Sequence, residues 1–131
     1  MSTLNQEMLQ TFTRESFDRL ERMAEDLEQL SCAAEDAEEL VNSLFRETHN
    51  LKGAANLVGV RFVEQMAHCL ENILEQIRSG QEQPDEQLIG LLAAGYRRID
   101  ELLKCPHMLP LVDANREVAV IEGKLRERKR G

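Results

Sequence analysis

The chain has 131 residues, a length that favours one domain with a sizeable hydrophobic core. Apolar residues make up 42% of it, aromatic residues only 4% and tryptophan is absent, a composition that suits packed helices better than a β-sandwich. The 24 acidic and 16 basic residues give a net charge of −8, which argues against a nucleic-acid partner because its phosphates would be repelled.

The sequence also predicts where in the cell the protein is located. The N-terminus is polar and soon acidic, unlike a secretory signal peptide, and no apolar run approaches the ~20 residues that span a bilayer. We therefore expect a cytoplasmic protein without membrane insertion. The cysteines, Cys32, Cys69 and Cys105, are odd in number and lack a C-x-x-C pair, so we expect reduced thiols and no metal site.

The first half of the chain predicts two helices. Apolar residues at steps of three, four and seven indicate a long helix over residues 4–30. The pattern loosens over residues 31–36, which we interpret as a turn. A second helix is predicted over 37–58, and Gly59 is a typical C-terminal stop.

Two more helices follow. The third is predicted over residues 62–78 and ends at Ser79-Gly80. Pro84, Asp85 and Glu86 open the fourth, which Cys105-Pro106 ends. Four helices with short connections and one apolar face each predict an all-α fold, an antiparallel up-and-down four-helix bundle.

The pattern weakens beyond Pro110. The segment 118–125 has apolar residues at helical spacing, although residues 118–121 also suit a strand, and we favour a short fifth helix. The five basic residues within 124–130 lack interleaved aromatic residues, so we interpret them as a solvated tail or the start of a linker. The expected organisation is a bundle over 1–108, followed by a short fifth helix and a linker or tail over 109–131.

The second helix carries an unusual group of residues. His49, Lys52 and Gly53 share one helix face, which combines a titratable nitrogen, a cation and a position without a side chain. A helical wheel places His49 at the edge of the apolar stripe, beside Phe45. Taken singly, each of these three residues is more often an ordinary surface residue. Together they predict a nucleophilic imidazole that is accessible to another macromolecule. Lys52 would then bind phosphate oxygens.

The third helix offers a partner for that imidazole. A tight turn at Gly59 would bring residues 49 and 71 level on antiparallel helices, so Glu71 could bond one ring nitrogen and make the other more nucleophilic. His68 lies on the same face as Glu71. The ordinary alternatives are a solvated charge for Glu71 and a boundary histidine for His68.

Other chemistries lack their sequence signatures. The paired Glu-x-x-His motifs of di-iron bundles, a glycine-rich phosphate loop and a Ser/His/Asp signature are all missing. The chain therefore has no nucleotide site of its own, and a separate phosphoryl donor would be needed.

The motif His49-x-x-Lys52-Gly53-x5-Gly59 resembles that of histidine phosphotransfer (HPt) domains. The stretch His68-x-x-Glu71-Asn72, ending in Arg78-x-Gly80, is similar to the N-terminal HPt domain of CheA chemotaxis kinases in particular. The similarity extends from the first helix to about residue 104.

The resemblance implies a phosphocarrier in a two-component, chemotaxis-type relay. His49 would be phosphorylated through Nε2, Glu71 would bond Nδ1, and His68 and Lys52 would support the network. Gly53 and Asn56 would face the docking partner. The residues Ala54-Ala55-Asn56 depart from the further glycines common in the family.

The resemblance also implies the partners. The donor would be the catalytic domain of a histidine kinase, with ATP bound there, and the acceptors would be response regulators similar to CheY and CheB, which supply Mg²⁺. No cofactor would bind this domain. On its own it would be a carrier rather than an enzyme, and within a longer chain it would be part of a CheA-like protein histidine kinase. The alternative is a helical interaction bundle without phosphotransfer activity.

Overall fold

The computed structural model describes residues 3–32 and 35–130 and contains helices throughout these ranges. The helices are α1 (Thr3–Ser31), α2 (Ala37–Val58), α3 (Arg61–Arg78), α4 (Glu86–Leu103), a 3₁₀ turn (Leu109–Leu111) and α5 (Asn115–Arg130). The predicted all-α fold is confirmed. The first helix ends one residue later than expected, and residues 33 and 34 of the predicted turn lie outside the described residues.

The turn between α2 and α3 depends on one glycine. Gly59 has a φ of 77°, in the left-handed region that glycine adopts without a steric penalty. Its N–H donates to the carbonyl of Asn56, and the next N–H, of Val60, donates to that of Ala55. These bonds satisfy the last carbonyls of α2 and reverse the chain at once, so α3 runs back along α2.

The four main helices close into a ring. Helix α1 packs against α2 and α4, and α3 packs against the same two helices. The side chains that fill the centre come from all four helices, and Met23, Leu44, Leu74 and Leu92 are among those with no exposed area. The apolar stripes predicted for α3 and α4 are buried in full. Among the described helices, none is both long and apolar enough to cross a membrane.

Helix α5 is longer and better anchored than the sequence suggested. Residues 124–130, interpreted as a solvated tail or the start of a linker, are helical, since α5 continues to Arg130, and the side chain of Arg128 is only 15% exposed. The Arg128 guanidinium donates to Glu82 and to Asp85 at 2.8 Å each. These carboxylates lie more than forty residues earlier in the chain, so periodicity at the basic end could not reveal them. The division of the chain at residue 108 stays a prediction.

One close helix contact depends on Gly95 of α4. A Cβ atom at this position would lie 2.6 Å from a methyl carbon of Leu70 on α3, closer than such atoms can approach. Leu70 has no exposed area and is surrounded by the core, so it has little room to move. The glycine therefore sets the separation between α3 and α4.

We predict that Gly95→Ala lowers the free energy of unfolding by about 1 kcal/mol, because overpacking costs ~1–3 kcal/mol and exceeds the ~1 kcal/mol gained in helix propensity. Gly90→Ala is the matched control on the same helix, since a Cβ there meets nothing within 4 Å. It should raise stability. Urea unfolding followed by circular dichroism measures both, and a stabilised Gly95→Ala would contradict the proposed close contact.

Candidate functional site

The candidate site lies where α2 and α3 run side by side. His49 on α2 and Glu71 on α3 come level, and His49 Nδ1 forms a hydrogen bond with Glu71 Oε2. The predicted juxtaposition is therefore present. The His49 side chain is 59% exposed, whereas the Glu71 side chain is 10% exposed. A buried carboxylate thus holds a ring that is open to solvent.

The second oxygen of Glu71 is also occupied. Lys52, one turn after His49, donates from Nζ to Glu71 Oε1 at 2.6 Å. The sequence suggested that Lys52 would serve phosphate oxygens, but its ammonium group is already bound to Glu71. Its first role in this structure is to neutralise and orient the carboxylate.

The charge state of Glu71 follows from these contacts. Burial tends to raise the pKa of the carboxyl group, but the hydrogen bonds from Lys52 and His49, together with the positive charge of Lys52, outweigh it and lower the pKa below its usual range. The interpretation of Glu71 as a solvated surface charge is wrong, since the residue is 7% exposed. Glu71 is ionised at neutral pH, and it loses its charge and its hold on the ring only as pH falls through the lowered pKa.

The ionised carboxylate determines the tautomer of His49. A carboxylate can only accept, so Nδ1 of the neutral ring must carry the proton that it donates to Glu71. The lone pair is then on Nε2, on the far side of the ring from Glu71. The arrangement leaves a nucleophilic nitrogen free to react, and positive charge that develops on the ring would be stabilised by Glu71.

A buried polar contact beneath the site was not predicted. Thr48 has no exposed area, and its Oγ1 shares a 2.6 Å hydrogen bond with the hydroxyl of Tyr96 on α4. Burial raises the pKa of the Tyr96 hydroxyl, which therefore remains protonated. This bond spans the core and fixes the rotation of α2, so His49, the next residue, points outward. Thr48 lies between Glu47 and His49, and the spacing of apolar residues along α2 does not indicate that a threonine there is buried and hydrogen-bonded.

The structure places His68 beside the site but outside its hydrogen bonds. With Lys52, Arg61 and Gln65 it lines a shallow polar hollow on the α2–α3 face. His68 is exposed, and among the described residues its side chain forms no hydrogen bond or ion pair. Its expected support of the network stays a prediction.

The face of α2 beyond His49 is open. Gly53 is exposed, and a Cβ atom there would meet nothing within 4 Å. Asn56 is also exposed and donates from Nδ2 to Glu64 on α3 at 2.7 Å. Leu57, one turn after Gly53, is 76% exposed. Sequence reasoning missed Leu57, although its four-residue spacing from Gly53 places it on the same face.

Comparison with known proteins identifies the domain. A family model described as the Hpt domain matches residues 7–103. The chemotaxis protein CheA of Salmonella typhimurium is 35% identical over 82 residues, which cover 63% of this chain and 12% of that protein. The chemotaxis protein CheA of Cereibacter sphaeroides is 30% identical over 95 residues, which cover 71% of this chain and 14% of that protein.

A further relative has a different name. The gliding motility regulatory protein of Myxococcus xanthus is 31% identical over 77 residues, which cover 59% of this chain and 10% of that protein. The chain thus spans no more than 14% of the length of these three relatives. No solved structure matches significantly. Because the family match covers most of the chain and includes the His49-x-x-Lys52-Gly53 motif, the chain belongs to the Hpt domain family.

Proposed function

We propose that His49 receives a phosphoryl group on Nε2 and passes it to an aspartate of a response regulator. Membership of the Hpt family, together with relatives named chemotaxis protein CheA, supports a phosphocarrier role in two-component signalling. The observation that carries the assignment to His49 is its hydrogen bond to the buried Glu71, which leaves Nε2 as the reactive nitrogen.

The donor in this proposal is ATP bound to a separate histidine kinase domain, since the sequence has no glycine-rich phosphate loop. The lone pair of Nε2 attacks the γ-phosphorus, the bond between that phosphorus and the bridging oxygen breaks, and ADP leaves. The ring keeps its proton on Nδ1 and gains positive charge. The carboxylate of Glu71, held by Lys52, stabilises that charge.

In the second step the phosphoryl group leaves for a regulator similar to CheY or CheB. A carboxylate oxygen of the acceptor aspartate attacks phosphorus, the P–N bond breaks, and the lone pair returns to Nε2. A Mg²⁺ ion bound by the regulator would neutralise charge on the phosphoryl oxygens. The domain itself is restored unchanged, and the proposal places the relay in the cytoplasm.

The docking face in this proposal is the open side of α2. Gly53 lies one turn after His49 and Leu57 two turns after it, so the three share a face. The absence of a side chain at Gly53 lets the backbone of a partner approach the phosphoryl group. Leu57 offers an apolar contact at the edge of this face, and Asn56 is exposed beside it.

We predict that His49 is the one phosphorylated histidine. Incubation with a cognate kinase core and ATP should give an acid-labile, base-stable phosphate that His49→Gln abolishes. His68→Gln is the matched control, because His68 is also an exposed histidine on the same face but lies outside the hydrogen bonds of Glu71. Labelling that survives in His49→Gln and disappears in His68→Gln would overturn the assignment. Labelling that persists in both variants would contradict the prediction and point to another residue such as His107, whereas a wild-type protein that is never labelled would favour a bundle without phosphotransfer.

Replacing the Glu71 carboxylate should slow phosphorylation. Glu71→Gln keeps the shape but removes the charge that fixes the tautomer and stabilises the ring, and effects of this kind are worth ~10²–10⁴ in rate. We expect at least a ten-fold lower rate of His49 labelling, with helical content nearly unchanged by circular dichroism. Glu25→Gln, at an exposed position on α1 away from the site, is the control. A wild-type rate in Glu71→Gln would show that the ring does not need the carboxylate.

Bulk at Gly53 should hinder transfer to the regulator. In-line attack requires the acceptor aspartate to come close to phosphorus, and a glutamine side chain one turn from His49 would hold the partner away. We expect phosphorylated Gly53→Gln to lose its phosphoryl group to a CheY-like acceptor with Mg²⁺ at least ten-fold more slowly than wild type. Gly90→Gln, an exposed helical glycine on α4, controls for the substitution itself. Unimpaired transfer in Gly53→Gln would mean that the regulator approaches from another side.

A further inference from the structure

A row of three side chains lies beside the hydrogen-bonded site. Arg78 is the last residue of α3, and its Cζ atom lies 4.1 Å from the centroid of the Phe45 ring. Phe45 precedes His49 by one turn of α2, and the two rings are stacked with centroids 6.3 Å apart and planes 12° apart. The row connects the end of α3 to the reactive ring without using any hydrogen bond to Glu71.

The hydrogen bond to Glu71 does not fix the orientation of the His49 ring plane, and the stacking on Phe45 restricts it. A hydrogen bond at Nδ1 fixes one atom of the ring, but not the plane of the ring about that atom. The ring torsion of histidine is broad, and a side chain that is 59% exposed has few core contacts to restrict it. A parallel aromatic neighbour narrows the range of planes, and with it the direction of the lone pair on Nε2.

Phe45 in turn needs a restraint on its exposed side. Its ring is only partly buried against the core. A guanidinium group over the ring face is attracted by the negative potential of that face, and arginine also stacks flat on aromatic rings. Arg78 is further restrained by Glu75, whose Oε1 lies 3.4 Å from Arg78 Nε. The Arg78 guanidinium at the end of α3 thus lies over the Phe45 ring and restrains it.

We propose that Arg78 is a positioning residue for phosphoryl transfer at His49, acting through Phe45. Arg78 holds the Phe45 ring, and the Phe45 ring holds the imidazole plane in which Nε2 meets the incoming phosphorus. In-line attack is sensitive to this alignment. The kinetic consequence rests on the proposed function, whereas the effect on the ring exists before any chemistry.

The experiment is a double-mutant cycle of Arg78→Ala and Phe45→Leu, with two measurements. The first is the mobility of the His49 ring in the unphosphorylated protein, followed by carbon-13 relaxation in histidine-labelled samples. The second is the rate of His49 phosphorylation by a cognate kinase core and ATP, separated into kcat and KM. Thermal unfolding verifies that each variant is folded.

We expect each single variant to increase ring mobility and to lower kcat by roughly two- to five-fold, the scale of one exposed cation–π contact. The KM for the domain should change little. In the Phe45→Leu background, Arg78→Ala should have no further effect, because the residue through which it acts has been removed.

Arg98→Ala is the matched control. Arg98 also lies over an aromatic ring, with Cζ 5.7 Å from the centroid of Phe62, and also pairs with a glutamate three residues away. Its side chain is 45% exposed against 39% for Arg78, so each substitution removes one positive charge from a side chain of similar exposure. Arg98→Ala should change neither ring mobility nor kcat.

Three results would overturn the proposal. They are unchanged ring mobility in Arg78→Ala, an equal loss of kcat in Arg98→Ala, and an effect of Arg78→Ala that persists undiminished in the Phe45→Leu background. The last would mean that Arg78 contacts the kinase directly. If wild-type protein were never labelled on His49, the proposed function would fail, while the mobility measurement would still test whether Arg78 positions the ring.

Discussion

A carboxylate at the interface of two helices must be paired, because removing an unpaired charge from water costs several kcal/mol. Glu71 meets this requirement with both of its oxygens, one bonded to the His49 ring and one to the Lys52 ammonium group. The pairing has two consequences at once. It joins α3 to α2 at their contact, and it commits the proton of His49 to Nδ1. The same two hydrogen bonds of Glu71 therefore neutralise a buried charge and fix the tautomer of His49.

That set of bonds forms only if α2 and α3 are in the right register, and several distant features determine the register. The left-handed turn at Gly59 reverses the chain without an intervening loop. The bond between Thr48 and Tyr96 fixes the rotation of α2 from inside the core. Gly95 lets α4 approach α3 closely from the other side. Because packed helices do not deform continuously, these contacts hold the imidazole to a narrow range of positions.

The fifth helix completes the molecule without covering the site. Its side-chain bonds to other helices and turns within the described residues go to Gln65 on α3, to Arg98 on α4 and, through Arg128, to Gln87 on α4 and to the carboxylates at the α3–α4 turn. None of them goes to α2. The face that carries His49, Gly53 and Leu57 thus remains available to another macromolecule, while α5 packs on α3.

The helices and most of the site could be predicted from the sequence because both depend on short spacings. Apolar periodicity located α1 to α4 to within about a residue, and the three- and four-residue steps from His49 to Lys52 and Gly53 define one helix face whatever the tertiary fold. Glu71 required one further assumption, a tight turn at Gly59, and a glycine is the residue that such a turn needs.

Contacts between residues far apart in the sequence were decided by the tertiary structure alone. The depth of Glu71, the use of Lys52 as its partner, the Thr48–Tyr96 bond and the Arg78–Phe45–His49 row all depend on how helices rotate against one another. The anchoring of α5 by Arg128 likewise joins residues more than forty positions apart. Periodicity reports which face of a helix is apolar, but it holds no information about which polar groups meet across an interface, because that is fixed only when every side chain packs at once.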